Sequence, residues 1–306
     1  MQAGAALAST LFERVGAPGT ALLRQGIAAV ILLAISRATS DHRRSRRARA
    51  RTEWHSIGLL AVTFAVMNVS MYEAIARVPL GVAVTIELLG PLTLSAYLVR
   101  SRSHLGCVAL AVGGVALLSH GRNADASGAT QLDLLGVACA LLAAAGWAAY
   151  IVLNRRLGSA LDGDSGANGV EGLGLALAGA ALLVAPFGIA TGGTSMLAPA
   201  VLVTGVAVAV LSAALPFVLE LHALRQIPAA TFGVLMSLSP AIAGLIGRVV
   251  LDERLTATQL AAMVCVIAAS CVASWIAPSV VSAPPLAAAT TRDRAPTTAI
   301  RGVVGE

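Results

Sequence analysis

The 306-residue sequence contains no lysine and little charge of either sign. Charged residues make up 12% of the chain, about half of what an average soluble domain carries. Hydrophobic residues make up 57%, and the mean hydropathy is +0.83. A soluble globule of this length would leave too much apolar surface in contact with water. The composition therefore excludes an ordinary soluble domain and indicates a chain surrounded by lipid.

Several motifs of soluble enzymes are also missing. The sequence has no Walker A motif and no HExxH, and GLGLAL at 172–177 does not match GxGxxG. The four cysteines lie in apolar runs, and none forms a CxxC pair: Cys107, Cys139, Cys265 and Cys271. We therefore expect no cofactor, no metal site and no direct use of ATP. An enzyme that modifies lipids within the membrane is the alternative of another class, and it would need a cluster of catalytic polar groups at the interface.

The positive charge is concentrated in one place. The formal net charge is +6, and seven of the 21 arginines fall between positions 37 and 51. This stretch lies between two apolar runs, as a cytoplasmic loop does under the positive-inside rule. The distribution argues against a nucleic-acid partner and for a lipid bilayer as the chain's surroundings.

Ten apolar segments can be distinguished, at about 1–12, 20–36, 56–76, 80–99, 104–120, 132–154, 169–190, 197–221, 228–251 and 257–277. Most approach the ~20 residues that an α-helix needs to cross a bilayer. Because backbone polar groups must be satisfied within lipid, and the alternation of a β-barrel is absent, these segments predict helices. The expected fold is an all-α integral membrane protein with ten transmembrane helices.

The arginines also predict the orientation. If the first helix runs from inside to outside, the inner loops and the tail hold fifteen arginines and the outer loops hold five; Arg24 lies within a helix. This asymmetry predicts an inner-membrane protein with a cytoplasmic C-terminus.

The proline spacing indicates an internal repeat. Pro79 and Pro91 recur as Pro228 and Pro240 at an offset of 149. Five helices per unit is an odd number, so the two units are expected to be inverted in the membrane, as in alternating-access transporters. The predicted organisation is a first repeat at 1–121, a second at 132–277 and a disordered cytoplasmic tail at 278–306. The first segment is too short to span, so we expect the native start to lie upstream or the chain to be a truncated form.

Glu87 lies in the middle of the fourth apolar segment. A carboxylate at this depth is costly unless it has a partner, a proton or an aqueous cavity, and such residues usually mark a transport path. Glu87 is therefore predicted to couple transport to protons or to bind the ammonium group of a substrate. The alternative is a glutamate hydrogen-bonded to a neighbouring helix.

Four uncharged side chains are candidates for the wall of a substrate cavity. Asn68 and Tyr72 lie four residues apart and share a helix face, although interhelical hydrogen bonding would explain them equally well. Trp147 lies deep in the sixth segment. Tyr150 is assigned to the same wall, with a position in the interfacial aromatic belt as the alternative.

Other polar residues have more local interpretations. A possible cytoplasmic gate is formed by Glu220, His222 and Arg225, which could instead be charges that snorkel to the interface. Arg24 needs a partner inside the membrane, and Glu13 and Glu73 are the candidates.

Short-range contacts and helix breaks can also be predicted. Glu73 and Arg77 are expected to form an ion pair at i,i+4, and Thr256 with Gln259 predicts a capping box. The prolines inside apolar segments are predicted to act as hinges: Pro91, Pro216 and Pro240.

Long stretches resemble a known transporter family. VPLGVAVTIELLGPL (78–92), GWAAYIVLNRR (146–156) and IPAATFGVLMSLSPAIAGLIGRVVLDERLTATQLAAMVCVIAAS (227–270) are similar to the EamA family of the drug/metabolite transporter superfamily, and within it to the threonine/homoserine exporters. The resemblance implies two inverted five-helix units around a central cavity, and proton-driven efflux. The expected function is export of a small amino-acid-like metabolite, with EamA-type efflux of another metabolite or of a drug as the alternative. The oligomeric state is left open.

Overall fold

The computed structural model describes residues 1–39, 54–99, 101–120, 133–161, 167–216, 219 and 229–276, and almost all of them are helical. Twelve α-helices are described in these ranges: α1 (Gln2–Ser9), α2 (Phe12–Thr39), α3 (Trp54–Ile75), α4 (Leu80–Glu87), α5 (Leu89–Val99), α6 (Arg102–His120), α7 (Leu134–Leu161), α8 (Ala167–Gly192), α9 (Pro199–Ala209), α10 (Ala229–Ser237), α11 (Ser239–Val250) and α12 (Ala257–Ile276). A 3₁₀ turn (Gly193–Leu197) precedes α9, and a π-helical turn (Val210–Ala214) follows it. The all-α fold predicted from the sequence is confirmed.

Among the described residues, seven stretches are long and apolar enough to cross a membrane: Phe12–Ala38, Trp54–Ile75, Leu80–Val99, Leu134–Asn154, Val170–Leu197, Gly233–Val250 and Ala257–Ile276. Two shorter apolar helical stretches, Arg102–Ala116 and Pro199–Ala214, fall in two further predicted segments. The eight residues of α1 occupy the remaining one and reach only about 12 Å. A multi-pass membrane protein is therefore present, and the count of ten crossings stays a prediction.

The burial pattern is that of a protein in lipid. Large apolar side chains point outward from many helices, including Leu182 at 75% exposure and Trp275 at 82%. The interior is filled mainly by small residues, with alanine the most frequent buried type. Small side chains let helix backbones approach closely, and this is how helices pack when lipid offers no hydrophobic driving force between them.

α2 begins earlier than the predicted segment at 20–36. It begins at Phe12 and contains a non-helical residue, Gly16, with φ +72° and ψ 167°. A side chain at Gly16 would strain the backbone and would also crowd Thr191 of α8. The regular part of α2 therefore starts just after Gly16, where Pro18 fits the first turn because no hydrogen bond from its nitrogen is needed there.

Two predicted spans are broken near their middles. The fourth segment divides at Leu88 into α4 and α5, and the ninth divides at Leu238 into α10 and α11. Pro91 and Pro240 lie in the first turns of the second halves. A proline ring collides with the carbonyl group four residues earlier, which belongs to Glu87 in one span and to Met236 in the other. Each break therefore lies just before its proline.

The helices pack in a pattern that leaves a cavity at the centre. α2 packs along α8, α6 along α12, and α4 against α11. α3 packs against both α7 and α8, while α9 packs against both α1 and α2. α4 also packs against α7 and, less extensively, against α3.

Candidate functional site

A central cavity brings together all five residues that the sequence assigns to coupling and substrate binding. Its walls are formed by α1, α2, α3, α4, α7, α8, the π-helical turn, α10 and α11. The predicted residues that line it are Glu87, Asn68, Tyr72, Trp147 and Tyr150. Residues not predicted to line it include Arg24, Ser212, Met236 and Ser239. The cavity volume is ≈ 90 Å³, counted as the space that the centre of a water molecule can reach. One water needs roughly 10–15 Å³ of such space, so the cavity can hold several waters.

Glu87 is the last residue of α4, immediately before the break at Leu88. It is partly exposed to the cavity, whereas its neighbours Ile86 and Leu88 are buried. No hydrogen bond or ion pair joins its carboxyl group to another residue in the described ranges. The carboxyl group is therefore free to bind a proton or a cation from the cavity.

Arg24 is the second charged residue of the cavity. It is buried in α2, with 6% of its surface exposed. Its Nη1 donates to Oδ1 of Asn68, its Nε donates to Oγ of Ser212 over 2.8 Å, and its Nη2 donates to the carbonyl oxygen of Ser212 over 3.0 Å. Its guanidinium carbon also lies 5.9 Å from the centre of the Tyr72 ring, within the range of a cation–π interaction.

The predicted partners of Arg24 were wrong. Glu13 is exposed, and Glu73 forms an ion pair with Arg77. Neutral acceptors, Asn68 and Ser212, take their place. Ser212 could not be identified from the sequence because it lies 188 residues away and serines are frequent in membrane helices.

Pro216 explains why the Ser212 carbonyl group is available to accept a hydrogen bond from Arg24. In a regular helix this carbonyl would accept a hydrogen bond from the nitrogen of residue 216, and proline has no N–H to donate. Ser212 also lies in the π-helical turn, and such turns are frequent at functional sites. The Ser212 hydroxyl group donates to the carbonyl oxygen of Val208 over 2.6 Å, which leaves its oxygen oriented toward Arg24.

Aromatic rings form one side of the cavity. Trp147 is partly buried on α7, and Tyr150 lies one turn further along. The Tyr150 ring packs against Phe64 of α3, with 5.2 Å between ring centres. Tyr150 thus faces the protein interior, while Asn154 after it is exposed.

The other predicted polar groups lie away from the cavity. The Glu73–Arg77 pair is confirmed, and Asp133 at the start of α7 approaches Arg77 to 3.7 Å. The capping box is also confirmed: Gln259 Oε1 accepts from the Thr256 nitrogen over 2.9 Å, and Thr256 Oγ1 accepts from the Gln259 nitrogen over 3.2 Å. Glu220, His222 and Arg225 lie outside the described residues, as does the tail at 278–306. In the part of the chain that the structure describes, no three His, Cys, Asp or Glu residues come together as a metal site would require.

Comparison with known proteins identifies the family. Residues 134–275 match the model of the EamA-like transporter family. The chain is 37% identical over 271 residues to the threonine/homoserine exporter RhtA of Escherichia coli (strain K12), and 36% identical over 271 residues to that of Salmonella typhimurium (strain LT2). Each alignment covers 88% of this chain and 86% of the relative. A multi-pass helical bundle, a central cavity with charged and polar residues in its wall and this degree of identity lead to one conclusion: the chain belongs to the EamA-like transporter family.

Proposed function

We propose that this protein is a secondary-active exporter of small amino acids of the threonine/homoserine type, coupled to the proton gradient across the inner membrane. The observation that carries the proposal is a carboxyl group and a guanidinium group facing one cavity inside an apolar bundle. Charged groups at this depth are expensive, and they persist where they serve a substrate or ion path. The similarity to threonine/homoserine exporters supports the choice of substrate.

Glu87 is the proposed coupling residue. When Glu87 binds a proton it is neutral, and the cavity then lacks the negative charge of this carboxylate. Ionised, it attracts the ammonium group of an amino acid. Proton and substrate therefore compete for one carboxyl group, and such competition produces exchange when the cavity opens alternately to the two sides of the membrane. The partners of the protein in this proposal are a small-molecule substrate, protons and the lipid bilayer.

Inside-out membrane vesicles provide the test, because an exporter takes up substrate there. We expect labelled threonine or homoserine to accumulate when the vesicle interior is acidic and to equilibrate when the gradient is collapsed. A panel of other amino acids and drug-like cations, assayed in the same vesicles, distinguishes the EamA-type alternative. Absence of amino-acid uptake at any gradient would overturn the proposal.

The Glu87→Gln variant tests the coupling residue. Because Gln cannot take up a proton, the stimulation by the pH gradient should fall from several-fold to none, while gradient-independent exchange of threonine persists at reduced affinity. Glu73→Gln is the matched control, since Glu73 lies in an ion pair outside the cavity, and it should keep the stimulation. Full stimulation in Glu87→Gln would remove Glu87 from the mechanism.

A further inference from the structure

Arg24 carries a buried positive charge and forms no ion pair with a carboxylate of the described residues. The ion pairs that the structure shows in these ranges join other residues: Arg77 with Glu73 and Asp133, and Arg248 with Asp252. Glu87 faces the same cavity without forming an ion pair with Arg24. A cation without an ion pair is costly inside a membrane bundle, so its presence favours an anion in the cavity during part of the transport cycle.

The hydrogen bonds of Arg24 orient the guanidinium group without engaging all of its N–H donors. Arginine has five N–H donors, and three of them are engaged by Asn68 and Ser212. Each terminal nitrogen therefore keeps one hydrogen for a further acceptor. The three acceptors come from α3 and from the π-helical turn, and they fix the plane of the group. A guanidinium group held in this way matches the two oxygens of a carboxylate.

We infer that Arg24 binds the α-carboxylate of the transported amino acid while Glu87 binds its ammonium group, so that the cavity selects zwitterions. This inference rests on the proposed export of small amino acids. The two charged groups lie on different helices, α2 and α4, and face one cavity without bonding to each other. A zwitterion between them satisfies both charges at once. A simple cation would be repelled by Arg24, and a simple anion would be repelled by ionised Glu87.

Arg24 also ties α2 to α3 and to the π-helical turn, so loss of activity on replacing it would not by itself establish binding. The readout must be one that a purely structural role leaves unchanged. Preference for a carboxylate over a neutral group is such a readout. Threonine amide has the ammonium group and the side chain of threonine but lacks the carboxylate.

The experiment is competition for labelled threonine uptake in inside-out vesicles, with unlabelled threonine and threonine amide as competitors. In the unaltered protein we expect threonine to compete at least ~10-fold better than the amide, since a charge-assisted bidentate contact is lost with the amide. Arg24→Gln should weaken competition by threonine about 10-fold or more and abolish the preference over the amide. Arg24→Lys keeps the positive charge but lacks the planar guanidinium group, and its preference for threonine over the amide should be intermediate. Arg77→Gln is the control with an arginine outside the cavity, and it should keep the full preference.

The outcomes separate the two proposals. If the unaltered protein transports no amino acid, the proposed function fails. If it transports threonine but the amide competes equally well, the zwitterion inference fails and export stands, and this result needs no variant. If Arg24→Gln or Arg24→Lys transports threonine with an unchanged preference for the carboxylate, Arg24 is only structural and the inference is overturned.

Discussion

The Glu253 carboxyl group joins two distant parts of the chain at one end of the bundle. It lies in the link between the candidate spans Gly233–Val250 and Ala257–Ile276. Both of its oxygens accept from the Leu80 nitrogen, at 3.1 and 3.0 Å, and so cap the start of α4. Asp252, the residue before it, has φ +52°, and the Glu253 nitrogen donates to the carbonyl oxygen of Gly247. This reversal of the chain after α11 turns Glu253 back toward α4.

The capping contact predicts a pH-dependent stability. Burial raises the pKa of the Glu253 carboxyl group, and the hydrogen bond from Leu80 opposes that rise. The folded protein thus holds this proton more tightly than the unfolded chain. Stability from this group is present at low pH and is lost as the pH rises through the raised pKa. Glu253→Gln keeps an acceptor without the charge, so it should raise the melting temperature at pH 8 and leave it unchanged near pH 4.

Two variants control this prediction. Glu253→Ala leaves the Leu80 N–H without its partner and should cost about 1 kcal/mol near pH 4, and less at pH 8 because it also removes the buried charge. Asp252→Asn alters an exposed neighbour that pairs with Arg248, and its effect should differ little between the two pH values. Thermal unfolding of the purified protein in detergent measures all four proteins. A melting temperature of Glu253→Gln that matches the unaltered protein at pH 8 would contradict the argument.

At the level of residues, the sequence could predict cavity residues whose chemistry is unusual at their depth. Glu87 and Asn68 are such residues, because an acid or an amide inside an apolar segment needs a local reason. It could not predict the partners of Arg24. Those depend on which residues of α3 and the π-helical turn lie at the same height, and that information is held in the packing rather than in spacing along the chain.

At the level of helices, close backbone contacts set the geometry around the cavity. Gly90, in the first turn of α5, lies against Ala144 of α7 so closely that a Cβ atom would overlap the Ala144 carbonyl group. The obstacle is backbone, so it cannot rotate away as a side chain can. Glycine at this position therefore fixes how near α5 comes to α7, the helix that carries Trp147 and Tyr150.

Gly90→Ala should therefore destabilise the protein by roughly 1–3 kcal/mol, the usual cost of overpacking. Gly113→Ala in α6 is the matched control, since a Cβ there has no heavy atom within 4 Å. Because alanine is the better helix former, the control should be neutral or more stable by up to about 1 kcal/mol. The two variants can be compared by heating each in detergent and measuring the fraction of protein that stays monodisperse. Equal stability of the two variants would show that α5 and α7 are not in close contact.

The boundaries of helices were predictable where lipid dictates them and less so elsewhere. The third and tenth segments were predicted at 56–76 and 257–277, and the helices run over Trp54–Ile75 and Ala257–Ile276. α7 continues to Leu161, beyond the predicted end at 154, because a helix that leaves the membrane no longer needs apolar residues to continue. The prolines indicated kinks, but the π-helical turn has no sequence signal of its own.

At the level of the whole molecule, several helix–helix contacts come in pairs that the offset of 149 relates. An offset of 149 relates α2 to α8, α4 to α10 and α6 to α12. Counterparts touch each other along α2 and α8 and along α6 and α12. The contact of α3 with α8 has its counterpart in that of α9 with α2, and the contact of α3 with α7 in that of α9 with α1. A two-fold axis in the membrane plane would produce this pattern, and we propose that 1–121 and 132–277 are inverted repeats.

Inverted repeats predict the sidedness of the links. The link at 40–53 should be cytoplasmic, because it holds six of the arginines, and the link at 121–132 should face the periplasm. Alkaline phosphatase fused after residue 126 should be active, whereas fusion after residue 48 should be inactive. A fusion after residue 164, in the link between α7 and α8, should also be inactive. Activity at 164 together with activity at 126 would place two successive links on one side and contradict the arrangement.

The central claim is that Glu87 faces an aqueous cavity that the substrate enters. Glu87→Cys, made in a chain whose four native cysteines are replaced by alanine, should react with a small water-soluble maleimide, and millimolar threonine should slow that reaction. Leu182→Cys provides the control, since Leu182 is 75% exposed near the middle of the span Val170–Leu197 and lipid should prevent formation of its thiolate. The account predicts reaction at 87 that threonine slows and no reaction at 182. A thiol at 87 that does not react, or whose reaction threonine leaves unchanged, would contradict it.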